Sequence, residues 1–309
     1  MAYGLIRLLQ KLMKAQNLTE KPSTREEKNG RLILHDVSYD SKYPNHFLDI
    51  YLVSPDTTVR RPTLFYVHGG GYTWGSKITD GDKGGFAWYF ERFLQAGYNV
   101  VSMDYAFAPE YQYPTPILQM GEAIRFLQAH SEYGVSLEQV VFCGCSAGGQ
   151  LIGQFANIET NPAYAKDCGI RPVLGADRIK AVVFHSSLLD MEKFGEVDSK
   201  AGGSLFIKCG EAYFGIPKRW PDSSHIQQAR VTANFTAAFP PCYISDANFN
   251  SFTKQAVELD QVCNDLGIRH MLHLVPIEET KLNHGYEDIE SEYSKKNLEL
   301  VLEFLRSLD

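Results

Sequence analysis

Short apolar runs alternate with longer amphipathic stretches through most of this chain. The runs are Leu64–Val67, Val100–Met103, Val140–Cys143, Ile179–Phe184, Cys242–Ser245 and His270–Val275. Runs this short, apolar at consecutive positions, predict strands buried on both faces. Between them, Phe86–Ala96, Ile117–His130 and Thr253–Leu266 carry apolar residues at helical spacing. The alternation predicts an α/β protein, with a mostly parallel central sheet covered by helices on both faces. Upstream, Arg31–Tyr39 and Phe47–Val53 flank the turn-rich Asp40–Asn45 and predict an antiparallel hairpin.

Two stretches break this rhythm. From about Ser187 to Phe239 no strand pattern is visible, and the segment carries Gly, Lys, Trp220 and Pro221. An interval that long inside an α/β domain predicts an insertion with structure of its own, here a cap over the carboxyl edge of the sheet. At the other end, Leu5, Leu8, Leu9, Leu12 and Met13 fall at i, i+3, i+4, i+7 and i+8. They make one apolar face of an amphipathic helix, expected to pack on its own protein, with contact to a membrane surface as the lesser reading. Residues 20–30 are polar and read as a linker. The expected organisation is one domain over 1–309, with cap elements near 1–25 and 187–239.

Composition narrows the class. The chain has 309 residues, 44% apolar and 22% charged, which suits a single large soluble domain. A net charge of −7 gives no electrostatic footprint for nucleic acid. No apolar run nears the roughly 18–20 residues of a membrane span, so stable insertion is not expected. Arg7, Lys11 and Lys14 interrupt the first helix, which rules out a signal-peptide core. The six cysteines show no paired spacing and read as free thiols of a cytoplasmic protein.

The chemistry sits at strand ends. Gly144-Cys145-Ser146-Ala147-Gly148 leaves one predicted strand and enters a predicted helix. A turn that tight pushes the serine side chain out where a base can reach it. A second strand ends in His68-Gly69-Gly70-Gly71, whose backbone N–H groups can face a developing oxyanion. Gly70, Gly71 and Ala147 are the expected oxyanion donors, and His68 is expected to brace the loop. Serine needs a base. His284, after the last strand and before the C-terminal helix, is placed to be that base. His270 and His273 lie three apart on a strand, point to opposite faces, and make no metal pair. The glycine-rich Gly81–Gly85 lacks both phosphate-loop patterns and reads as a flexible loop.

Together these residues resemble the hormone-sensitive-lipase-like branch of the α/β-hydrolases, a family of carboxylesterases and lipases. The matching segments are His68–Tyr72 with Trp74-Gly75-Ser76, Asp104-Tyr105 with Ala108-Pro109-Glu110, Tyr113-Pro114, Gly144–Gly149 and His284-Gly285-Tyr286. They occur in family order over about residues 64–290. The resemblance implies an α/β-hydrolase fold with a helical cap, and cleavage of carboxylic esters without metal or cofactor. Two positions depart from it. Ala106 stands where the family has Arg. More seriously, the triad acid is expected 17 residues before Gly267, and that position is Asn250.

An amide there accepts a hydrogen bond from histidine but brings no charge. Three readings follow. Asn250 orients His284 in a slow or specialised esterase. Alternatively Asp246, or Glu287 and Asp288 just past the base, supplies the carboxylate. Or the fold has drifted to ligand binding without turnover. The first is the expected function: a serine carboxylesterase taking a small-molecule ester, with Ser146 as nucleophile. A peptidase or amidase ranks below it, and a homodimer is left open.

Overall fold

Strands covered on both faces need apolar side chains at every position, and that is where the apolar runs settle. The computed structural model describes residues 3–77, 87–215 and 223–309. The segment Gly81–Gly85, read above as a flexible loop, lies outside the described residues. Strands β1 (Thr24–Lys28), β2 (Arg31–Ser38), β3 (Phe47–Leu52), β4 (Thr63–Val67), β5 (Asn99–Met103), β6 (Val140–Cys145), β7 (Ile179–His185), β8 (Cys242–Asp246) and β9 (His270–Leu274) form one sheet in the order β1-β2-β3-β5-β4-β6-β7-β8-β9. The first three pairings are antiparallel and the rest are parallel.

Alternation along each strand sorts the core into two layers. Leu64, Val100 and Val141 meet α2 (Ala87–Gln95) and α9 (Glu292–Arg306) through Phe90, Phe93, Val301 and Leu305. Phe65, Val101 and Phe142 point the other way, into the layer of α3 (Thr115–Ala129), α4 (Ala147–Thr160) and α8 (Thr253–Leu266). The helix α5 (Pro162–Cys168) follows α4.

The chain places β5 on one side of β4 and β6 on the other. The crevice at such a reversal, at the carboxyl ends of the strands, is where open α/β sheets hold ligands. Val67 is level with Met103 and with Gly144, so the segments after β4, β5 and β6 emerge side by side there. Over 187–239 the described residues form α6 (Lys200–Phe214) and α7 (Ser224–Ala229) and no strand.

Two expectations change. The stretch 20–30 is not a plain linker, because β1 lies within it and extends the hairpin by an exposed edge strand. The helix α1 (Gly4–Leu12) forms, but its leucine face does not pack inward. Leu5, Leu8, Leu12 and Met13 are 47%, 53%, 69% and 61% exposed, while Ile6 is 1% exposed. The edge that docks carries Ile6 and Gln10. The Gln10 amide donates to the carbonyls of Thr73 and Ala108, at 2.9 Å each. Two buried carbonyls that need a donor fix the helix by its polar edge, and hydrophobic spacing alone does not report that demand. All six cysteines are free thiols. Among the described residues no helix is long and apolar enough to cross a membrane.

Candidate active site

The turn after β6 is strained. Ser146 has φ 57° and ψ −119°, a region a side-chain-bearing residue enters only when its surroundings force it. The flanking glycines are dictated by contact. A Cβ on Gly148 would lie 2.0 Å from the Val67 carbonyl oxygen, and one on Gly144 would lie 2.5 Å from the Gly148 carbonyl carbon. The turn is locked to the next strand, since the Ser146 N–H donates to the His185 carbonyl at 2.9 Å.

His284 meets this serine from a distant loop. Its Nε2 lies 2.9 Å from Ser146 Oγ. Phe206 of α6 and Phe252 pack on the imidazole at ring-centre distances of 5.1 and 5.3 Å. Burial pushes the imidazole pKa down to about 4, so the ring stays neutral and Nε2 can accept a proton.

The glycine loop lies against the same serine. A Cβ on Gly69 would come within 3.2 Å of the Ser146 Cβ. Gly70 and Gly71 have φ of 89° and 56°. The loop carbonyls are tied back: Tyr105 donates its hydroxyl to His68 and Gly69, and the N–H groups of Thr73 and Trp74 donate to Gly70. Ala147 opens α4, so its N–H is one of the four that a helix start leaves without an intrahelical partner. His68 is a brace: it stacks on Tyr105 at 4.2 Å, meets the Gly69 carbonyl through Nδ1 at 2.8 Å, and is held neutral by burial. Ala106, where the resemblance expects Arg, is buried, and its N–H donates to Gln119. Lys21 and Lys77 lie 3.5 and 3.9 Å from the Asp104 carboxylate.

None of the four acid candidates reaches His284 Nδ1. That atom meets Ser251 Oγ at 2.8 Å. Asn250, the position matching the acid, is turned toward the cap. Its Oδ1 accepts from the Ser199 N–H at 2.9 Å, and its own N–H donates to Asp198 at 2.7 Å. Asp246 is buried at the end of β8 with no well-formed hydrogen bond to either oxygen. Burial and the neighbouring Glu287 charge push its pKa well up, and the nearby Ser251 hydroxyl only partly opposes that. Glu287 accepts from Ser186 and Ser245 instead, and the thiol near Asp288 is that of Cys145.

Ser251 was not singled out from sequence, although it adjoins a residue that was. Asn250 has φ 52°, and this left-handed turn sends side chain 250 to the cap and side chain 251 to the base. Counting along a loop does not resolve which of two neighbours faces inward. The available signal was a hydroxyl beside the expected acid, and hydroxyls in loops are too common to carry weight.

A nine-stranded sheet with a serine at the strand–helix elbow and a histidine on a late loop defines an α/β-hydrolase. A family model described as BD-FAE matches residues 48–244, and the chain belongs to that family. Esterase LipI of Mycobacterium tuberculosis is 26% identical over 233 residues, 73% of this chain and 65% of LipI. An acetyl esterase of Salmonella typhi is 33% identical over 103 residues, 32% of this chain and 29% of that protein. The matches therefore span less than two thirds of these relatives' lengths. Esterase B from Lactobacillus Rhamnosis has a TM-score of 0.71 at 20% identity, covering 100% of this chain and 92% of that one. A bacterial heroin esterase has a TM-score of 0.68 at 19% identity, covering 99% and 90%. At such identities the structures share the fold.

Proposed function

We propose that the protein is a serine carboxylesterase acting on small carboxylic esters through an acyl-enzyme. The observation that carries this reading is the 2.9 Å contact between Ser146 Oγ and a neutral His284 Nε2, beside a glycine loop. Nε2 takes the serine proton as Oγ attacks the ester carbonyl. The N–H groups of Gly70, Gly71 and Ala147 receive the oxyanion, each worth about 2.7–4 kcal/mol in the transition state. The imidazolium then gives its proton to the departing alcohol. A water, deprotonated by the same nitrogen, releases the acid.

Ser251 replaces the usual carboxylate. Its oxygen accepts the Nδ1–H, which leaves Nε2 unprotonated and correctly placed. It orients the base without stabilising the imidazolium by charge. This contact also favours a second reading, in which the protein binds an ester-like ligand and turns it over little or not at all. Two measurements separate the readings: hydrolysis of p-nitrophenyl acetate and butyrate, and intact mass after an organophosphonate. The esterase reading expects turnover and one phosphonyl adduct, on Ser146. Absence of both would leave the binding reading.

The depressed basicity of His284 sets a pH expectation. A base works only unprotonated, so kcat/KM should hold as pH falls below 6.5 and drop only through about pH 4, to which burial lowers the ring. A pH–rate profile on a short ester, taken over the range where the fold survives, checks it. A midpoint near 6.5 would mean that a negative charge stabilises the imidazolium, against the Ser251 contact.

A further inference from the structure

We propose that Ser186 and Glu287 form a positioning bracket that holds the base loop against the serine turn. The proposal rests on the reading of Ser146 and His284 as nucleophile and base. Glu287 is 1% exposed, three residues past His284. Its Oε2 accepts from Ser186 Oγ at 2.7 Å, and its Oε1 accepts from Ser245 Oγ at 2.9 Å. Ser186 Oγ in turn accepts the N–H of Gly285, the residue after the base, at 3.1 Å. One residue before Ser186, the His185 carbonyl accepts the Ser146 N–H at 2.9 Å. Adjacent residues at the end of β7 thus hold both halves of the reacting pair. Ser186 has φ 41°, a strained conformation that persists only where its surroundings impose it.

The carboxylate gives the bracket a direction. Burial pushes the Glu287 pKa up to about 7, against the opposing hydrogen bonds from Ser186 and Ser245. In its ionised form Glu287 only accepts, so both serine hydroxyls then donate to it. With its proton committed, Ser186 Oγ offers a lone pair to the Gly285 N–H. With its proton committed, Ser245 Oγ must accept from His185 Nδ1, 2.7 Å away. His185 Nε2 then accepts from the Tyr89 hydroxyl at 2.8 Å. Burial keeps His185 neutral, as this assignment needs. Every donor in the chain has an acceptor, and the direction is set at the glutamate. A base whose Nδ1 rests on a hydroxyl is less firmly oriented than one on a carboxylate, so its loop needs support from behind.

Glu287→Gln keeps the shape but places an amide that must donate toward one of the two serines. It is expected to lower kcat by about ten- to a hundredfold with KM within about twofold, the scale of a small misplacement of reacting groups. In protein labelled with 15N-histidine, the His284 ring signals should be one sharp set in the wild type and broadened or split in the variant. Ser186→Ala, which removes only the hydroxyl, gives the same readout if Glu287→Gln does not fold. A folded variant of either kind with wild-type kcat and a single sharp His284 set overturns the bracket, as does a loss of kcat matched by an equal rise in KM. If the wild type itself neither hydrolyses esters nor takes up phosphonate, the esterase reading fails, and the ring signals still decide the bracket.

Discussion

Ser251→Asp should raise kcat on a short p-nitrophenyl ester by about ten- to a thousandfold, with little change in KM. The side chain already sits at His284 Nδ1, 2.8 Å away. A carboxylate there would keep the orienting bond and add a charge facing the imidazolium that forms as the serine proton moves. In a serine protease, losing that carboxylate to an amide costs about 10⁴ in turnover, and part of that cost is a wrong tautomer. The Ser251 hydroxyl imposes no wrong tautomer, so the gain here is smaller. Asp246 stands close behind, but burial and the Glu287 charge push its pKa well up, which weakens its repulsion of a new carboxylate. The added charge also raises the pKa of His284, and the acid limb of the pH–rate profile should move upward. Asn250→Asp should give no such gain, because side chain 250 is committed to the Ser199 N–H. A rise with Asn250→Asp and none with Ser251→Asp would return the acid to the position that counting indicates.

Ser146→Ala should abolish phosphonate labelling and lower kcat by about a hundredfold in the wild-type background. That loss is modest for a nucleophile, and the reason is the partner at Nδ1. In a serine protease the nucleophile alone is worth about 2 × 10⁶ and the acid alone about 3 × 10⁴, and the effects are not additive. A catalyst already without the acid has about the ratio of those two numbers left to lose. The same Ser146→Ala change made on top of Ser251→Asp should therefore cost more, by the factor that Ser251→Asp gained. Rates for the four proteins close that cycle. An unchanged rate in Ser146→Ala would remove this serine from the chemistry. A millionfold loss in the wild-type background would show that Ser251 supports the base as fully as a carboxylate does.

The parts of the site legible in sequence are those made by local contact. Gly144 and Gly148 are needed because neighbouring backbone occupies the space of a Cβ, and such a turn leaves its mark within five residues. The strands were legible because burial on both faces removes polar residues from whole runs. His284 was legible because few positions after the last strand carry a histidine. The rest depends on which way a side chain turns. The docked edge of α1 was chosen by two carbonyls 63 and 98 residues away from Gln10. The partner of His284 was chosen by one left-handed residue in a loop. The bond between Ser186 and Glu287 joins residues 101 apart, and neither carries a motif.

Gln10 reaches both the glycine loop after β4, through Thr73, and the segment after β5, through Ala108. None of the recognisable motifs lies in α1. A fragment beginning after this helix would keep the glycine loop, the elbow and the histidine, and would read as complete by any comparison of signatures. It would nonetheless leave one carbonyl of the glycine loop, at Thr73, and one after β5, at Ala108, stripped of their donor. In this protein the set of motifs and the set of contacts that hold them have different borders.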